Sequence, residues 1–137
     1  MPRILIVEDD PIISDMYHTA FAFDNLEVEV APDGEAGLAL MKTQPPTVVL
    51  LDIMMPKMNG LQVLEAMKQD EALKGIPVII LSNLSDKHDA EAALALGAVK
   101  YIVKAEHNPK EVTDIVKDIL AAYTRNDIPS PPTAPHA

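Results

Sequence analysis

The stretch Thr47–Gly60, TVVLLDIMMPKMNG, runs a short apolar segment straight into an acid, Asp52, and then into a Met-rich loop punctuated by Pro56 and Gly60. A strand buried on both faces of a parallel sheet reads as a continuous apolar run, and Val48–Leu51 is such a run. A carboxylate at its end is a helix cap, a paired core charge or a chemical group set at the edge of a sheet. Asn59 and Gly60 already supply the turn before the next helix, so capping gives little reason for Asp52.

Outward from this stretch the same alternation repeats. Ile4–Val7, Val28–Ala31, Val48–Leu51, Val78–Leu81 and Tyr101–Val103 are five strand candidates rich in Val, Ile and Leu. Helical patterns separate them. In the first, Ile13, Met16, Tyr17 and Ala20 recur at i, i+3, i+4 and i+7, which predicts the buried face and leaves Ile12 off the stripe. Asp10 is its N-cap, with Pro11 in the first turn. Asp33 caps the second helix, the third begins near Gly60, and the alanine-rich fourth stops at Gly97. The fifth opens on Asn108, Pro109 and Glu111 and carries Val112, Ile115, Val116, Ile119 and Leu120. Five βα units in strict alternation predict a doubly wound α/β fold, a parallel sheet with helices on both faces. The pattern ends at Tyr123. Residues 1–123 read as one domain and 124–137, which hold four of the twelve prolines, as a disordered tail or the start of a linker.

Composition narrows the function. The 137 residues, 48% hydrophobic, suffice for one domain with a core. A formal net charge of −10 gives the wrong field for nucleic acid or an anionic membrane, so neither a direct nucleic-acid role nor a membrane role is expected. There is no cysteine, hence no disulfide or thiolate site. MPRILIVEDD reaches acids too early for a signal peptide, and no apolar run approaches the roughly 18 residues of a membrane span. The chain reads as soluble and cytoplasmic.

In open α/β sheets, ligands bind beyond the carboxyl ends of the strands. The first strand ends in Glu8, Asp9 and Asp10, the third in Asp52, the fourth in Ser82 and the fifth in Lys104. Clustered carboxylates repel one another unless one is protonated or a hard cation sits between them. Oxygen donors without His or Cys favour Mg²⁺. A cation beside Asp52, with Lys104 and Ser82 opposite, suits phosphoryl transfer with a carboxylate as nucleophile.

ILIVEDD, VVLLDIMMPKMNG, VIILS and KYIVKA, in this order and spacing, resemble the receiver domain of bacterial response regulators, over about residues 3–123. The resemblance implies strand order 2-1-3-4-5, Asp52 as phospho-acceptor, and Mg²⁺ on Glu8, Asp9, Asp52 and the Met54 backbone carbonyl. It also implies that Ser82 binds the transferred phosphoryl group, Lys104 pairs with it, and Ser82 and Tyr101 form the switch. Asp10, before Pro11, is left as the helix cap. Such a domain is no enzyme beyond catalysing its own phosphorylation and dephosphorylation. Its partners would be a sensor histidine kinase or histidine phosphotransfer protein, docking in part on an exposed Ile12, and a downstream target or output domain. The signal would leave by the surface of the fourth helix, fifth strand and fifth helix.

The sequence departs from the family in places. Ala105 stands where proline usually follows the lysine, and a cis bond there would cost about 2.5–4 kcal/mol, so a trans bond and a different loop path are expected. Asn83 follows Ser82 where a small residue is usual, and Met54 and Leu84 are apolar, which bears on the lifetime of the phosphorylated state. An aspartate-nucleophile phosphatase would need a second Asp at Met54. EDDP after the first strand would repel the phosphate of FMN, and the P-loop motif is absent. The remaining alternative is a degenerate receiver that works as a phosphorylation-independent scaffold.

Overall fold

The computed structural model describes residues 2–124. Five strands, β1 (Arg3–Val7), β2 (Glu27–Ala31), β3 (Val48–Asp52), β4 (Val78–Ser82) and β5 (Lys100–Val103), alternate with five helices. These are α1 (Pro11–Phe23), α2 (Gly34–Thr43), α3 (Gly60–Lys68), α4 (Lys87–Ala95) and α5 (Pro109–Thr124). All strand pairs are parallel, in the order β2-β1-β3-β4-β5. The expected 124–137 tail lies outside the described residues, apart from Thr124 at the end of α5.

Pleating sends alternate residues to opposite faces. Leu5, Val7, Val49, Leu51, Val78 and Ile80 pack into one apolar layer, which includes Val63, Leu64 and Met67 of α3 and Ala90 and Ala93 of α4. Ile4, Ile6, Val48, Leu50, Ile79, Leu81 and Ile102 pack on the other side against Tyr17 and Phe21 of α1 and Val112, Val116 and Leu120 of α5. β3 and β4 are buried along their whole length, as the continuous apolar runs require, whereas the edge strand β2 starts exposed.

The helix starts follow the cap residues. The Ile12 N–H donates to Asp10 Oδ1 at 2.9 Å, and the Ala36 N–H to Asp33 Oδ1 at 2.8 Å. Asn59 with Gln62, and Asn108 with Glu111, close reciprocal capping boxes at 2.8–2.9 Å.

The first helix departs from its expected phase. Met16 is 42% exposed, and the buried side chains are Ser14, Tyr17 and Phe21. The face turned to the sheet is therefore rotated past Met16 to the far side of Tyr17. The reason is size: Phe21 and Tyr17, one turn apart with ring centroids at 6.3 Å, fill more of the layer than Met16 would.

Two non-glycine residues have left-handed backbones, Asn25 at φ 61° and Lys57 at φ 68°. Asn tolerates this conformation, whereas Lys does not gain the side-chain hydrogen bonds that offset it. Lys57→Gly is expected to raise stability by about 0.5–1 kcal/mol, relief of the strained φ exceeding the added chain entropy. Chemical denaturation of the two proteins checks this, and an unchanged or lower midpoint would refute it.

Candidate functional site

At the carboxyl edge of the sheet the strand ends bring charges together. Asp52 closes β3 and is 3% exposed, and Glu8, directly after β1, is 2% exposed. β1 and β3 are hydrogen-bonded neighbours, so their terminal acids meet. A carboxylate oxygen from each of Glu8, Asp9 and Asp52 lies within 4.8 Å of the others. Lys104, just past β5, places Nζ 2.9 Å from Glu8 Oε1 and 3.3 Å from Asp52 Oδ1. The backbone adds donors: the Asp10 N–H reaches Glu8 Oε2 at 3.1 Å, and the Met54 N–H reaches Asp52 Oδ1 at 3.3 Å.

Not every expected residue joins this cluster. Ser82 is fully buried at the end of β4, and its hydroxyl donates to the Ile102 carbonyl at 3.4 Å. Tyr101 is partly buried and packs against the layer that holds α3 and α4. Ile12 is 79% exposed on α1. The Lys104–Ala105 peptide is trans, and Lys104–Glu106 form a short 3-10 turn.

The charges shape one another. Burial, then repulsion from Glu8, push the Asp52 carboxyl up from 3.8 to about 7, against the pull of Lys104. Burial opposes the Lys104 ammonium, but its hydrogen bond to Glu8 and the Asp52 charge outweigh that, and its pKa rises. Two carboxylates with a single ammonium hold an excess of negative charge in a poorly hydrated place. An all-oxygen donor set of this kind fits Mg²⁺, with Glu8, Asp9 and Asp52 as its carboxylates.

Two residues of the site escaped the sequence reading. In the sequence Gly60 marks only a turn. A Cβ there would stand 2.6 Å from the Asp52 carbonyl oxygen and 2.7 Å from Ile53 Cα, and its N–H donates to the Ile53 carbonyl at 2.9 Å. Gly60 lets the start of α3 press against the backbone that carries Asp52. Tyr17, read as plain core, has its phenol pushed up by burial, with Lys104, Glu8 and Asp52 also acting on it. It therefore lies within electrostatic reach of the charged cluster.

A family model described as the response regulator receiver domain matches residues 4–117. This chain belongs to that family. As a receiver it is 35% identical over 127 residues to the DNA-binding dual master transcriptional regulator RpaA of a Synechocystis strain, covering 93% of this chain and 51% of the relative. The DNA-binding response regulator MtrA of Mycolicibacterium smegmatis is 33% identical, over 91% of this chain and 52% of its own length. The receiver thus spans about half the length of the curated relatives it matches. Among solved structures, the receiver domain of a Francisella response regulator is 30% identical with a TM-score of 0.79, covering 90% of this chain and 99% of the other. A CheY-like receiver domain protein from Methanospirillum hungatei is 29% identical with a TM-score of 0.83, covering 92% and 98%.

These relatives correct one expectation. The acidic composition argues against a direct nucleic-acid role, yet relatives covered along most of this receiver are named as DNA-binding regulators. Net charge governs only the attraction exerted by the residues that carry it. About half of each relative lies outside the match, and this chain's charge says nothing of a function carried there. Among the described residues, no helix is long and apolar enough to cross a membrane.

Two measurements test the site. In chelator, Asp52→Asn removes a buried anion beside Glu8 and should stabilise the receiver by about 1–3 kcal/mol at pH 8. An acid whose folded pKa is raised contributes less stability as pH rises from its unfolded value, 3.8, to its folded value, about 7. The advantage of Asn should therefore grow across that window and level off above it; a pH-independent difference in thermal midpoint would contradict this. Gly60→Ala should cost about 2–4 kcal/mol through backbone displacement at Asp52 and Ile53, and an unaltered midpoint would show that α3 shifts freely.

Proposed function

We propose that this receiver accepts a phosphoryl group on Asp52 from a histidine-phosphorylated partner and converts it into a change of surface. The observation that carries the reading is the buried Asp52 carboxylate held between Glu8 and Lys104, with Asp9 in reach, at the carboxyl edge of the sheet. An Asp52 carboxylate oxygen attacks phosphorus in line, and the bond from phosphorus to the histidine nitrogen breaks. Lys104, already 3.3 Å from Asp52, remains to pair with the product phosphoryl oxygens. Glu8, Asp9, Asp52 and the Met54 carbonyl would hold Mg²⁺, which when bound supplies positive charge to the phosphoryl oxygens. The receiver would catalyse only its own phosphorylation and the later loss of the phosphoryl group.

Ser82 holds a long bond to the Ile102 carbonyl, and exchanging it for a phosphoryl oxygen would draw the hydroxyl inward. Tyr101, partly buried on the same face of the sheet, would follow into the space, altering the surface of α4, β5 and α5. The names of the relatives support a transcriptional output for this signal, and the receiver is read as acting in the cytoplasm. A phosphorylation-independent scaffold is the poorer reading, since contact alone does not need two buried acids that cost stability.

The partner side is carried by α1. Ile12, Met16 and Phe23 are 79%, 42% and 86% exposed, and with Thr19 they fall on one outward stripe. Ile12 heads that stripe beside the acids and is assigned to the phosphodonor's contact.

Incubation with acetyl phosphate should add one phosphoryl group by mass in the presence of Mg²⁺, and none in chelator or in Asp52→Asn. Modification that persists in Asp52→Asn would refute the acceptor. Ile12→Ala should slow transfer from a phosphorylated kinase by roughly tenfold, a contact of about 1.4 kcal/mol, while sparing acetyl phosphate; equal slowing of both would remove Ile12 from the docking surface.

A further inference from the structure

Met54 is the solvent-facing neighbour of the acceptor. Ile53 and Ser82 are buried and Glu8 is 2% exposed, while Met54, two residues past Asp52, is 50% exposed. Its backbone is tied to the acceptor through the N–H bond to Asp52 Oδ1. The other methionines of the described residues are mostly sheltered: Met41 and Met67 are fully buried, Met55 is 9% exposed and Met58 is intermediate. Met16, at 42%, is the other accessible one, and it lies on the outward stripe of α1. Oxidation of methionine follows exposure, so a peroxide would meet Met54 and Met16 before the other methionines of the described residues.

We propose that Met54 is an oxidation site whose sulfoxide shortens the life of the phosphorylated receiver, an inference that rests on Asp52 being the phospho-acceptor. In the step, the thioether sulfur attacks hydrogen peroxide. A sulfur–oxygen bond forms, the peroxide O–O bond breaks, and the second oxygen leaves as water. Sulfur is oxidised by two electrons and the peroxide is reduced. A thioether is a weak hydrogen-bond acceptor and leaves nearby water unheld, whereas a sulfoxide oxygen is strongly polar. Beside an acyl phosphate at the end of β3, that oxygen can hold a water on the exposed flank of Asp52 that Met54 occupies. The phosphoryl group is then lost to water sooner. Because methionine sulfoxide reductases restore the thioether, the change is reversible.

The test treats the full chain with hydrogen peroxide and locates added oxygen by peptide mass. It then phosphorylates the treated and untreated protein with acetyl phosphate and Mg²⁺ and follows loss of the phosphoryl mass after the donor is removed. Oxygen on Met54 and Met16 ahead of Met41, Met55 and Met67 is expected. Dephosphorylation should be roughly three- to tenfold faster after treatment, the effect of one added hydrogen bond on a rate. The acceleration should persist in Met16→Leu, vanish in Met54→Leu compared with its own untreated rate, and be reversed by the reductases. An unchanged or slower decay with Met54 shown to be oxidised would overturn the inference, as would acceleration that survives Met54→Leu or oxidation that bypasses Met54. Failure of the untreated protein to take up phosphate would instead overturn the acceptor reading, and this inference with it.

Discussion

The constraint on which the site depends is the single ammonium of Lys104 between two buried carboxylates. Glu8 and Asp52 are almost fully enclosed, and both face it at 2.9 and 3.3 Å. Removing two acids from water costs several kcal/mol each unless opposite charge and hydrogen bonds meet them. Lys104 comes from the end of β5, two strands from β3 and so roughly 10 Å away by strand spacing. Only a long cation crosses that gap, and β4, lying between, ends in the small Ser82, where a bulkier side chain would stand in the way. Charge balance thus ties together the ends of β1, β3 and β5, and it does so incompletely, since one cation faces three acids. Burial first, and then the uncompensated charge of Glu8, raise Asp52 to about 7, and the excess of acid suits the cluster to a divalent ion.

Around this charge the backbone is shaped for close approach. The loop from Ile53 to Asn59 leaves the sheet, passes through a left-handed Lys57 and returns so that α3 starts against Asp52 itself, with Gly60 at the contact. The left-handed loop and the missing side chain at its end have one result: Asp52 is clamped from behind while the next exposed residue, Met54, stays open to solvent. Rigidity behind and access in front are what the proposed exchange of a phosphoryl group at Asp52 requires.

The helices divide the remaining work. α5 is pinned by Val112, Val116 and Leu120, whereas α4 buries little beyond Ala90 and Ala93. Each alanine loses only a methyl group to the core, so α4 is held by far less apolar burial than α5 and is the cheaper element to shift. α1 has two apolar faces: one packs Tyr17 and Phe21 into the layer shared with α5, and the other turns Ile12, Met16 and Phe23 outward. α1 and α5 share one layer and α4 lies on the other, so the proposed output surface of α4, β5 and α5 wraps the β5 edge of the sheet.

Much of this was legible along the chain. Alternating apolar runs and capped helices determined the α/β class, because burial on both faces of a parallel sheet leaves a continuous hydrophobic signature. The acids, hydroxyl and lysine at strand ends stood out because polar groups end those runs abruptly. Tertiary packing decided what periodicity leaves undetermined. Met16 and Phe21 are equally apolar in sequence, and only the space beneath the sheet chose the larger ring pair and turned Met16 outward. Gly60 as a contact, Tyr17 as a neighbour of the charges, and Asp52 as a carboxyl near 7 all arise from residues far apart in the chain meeting in a space with little water. Charge count was the least local signal of all. It described this chain and could not exclude DNA as a partner of its relatives, because a field belongs to the surface that bears it.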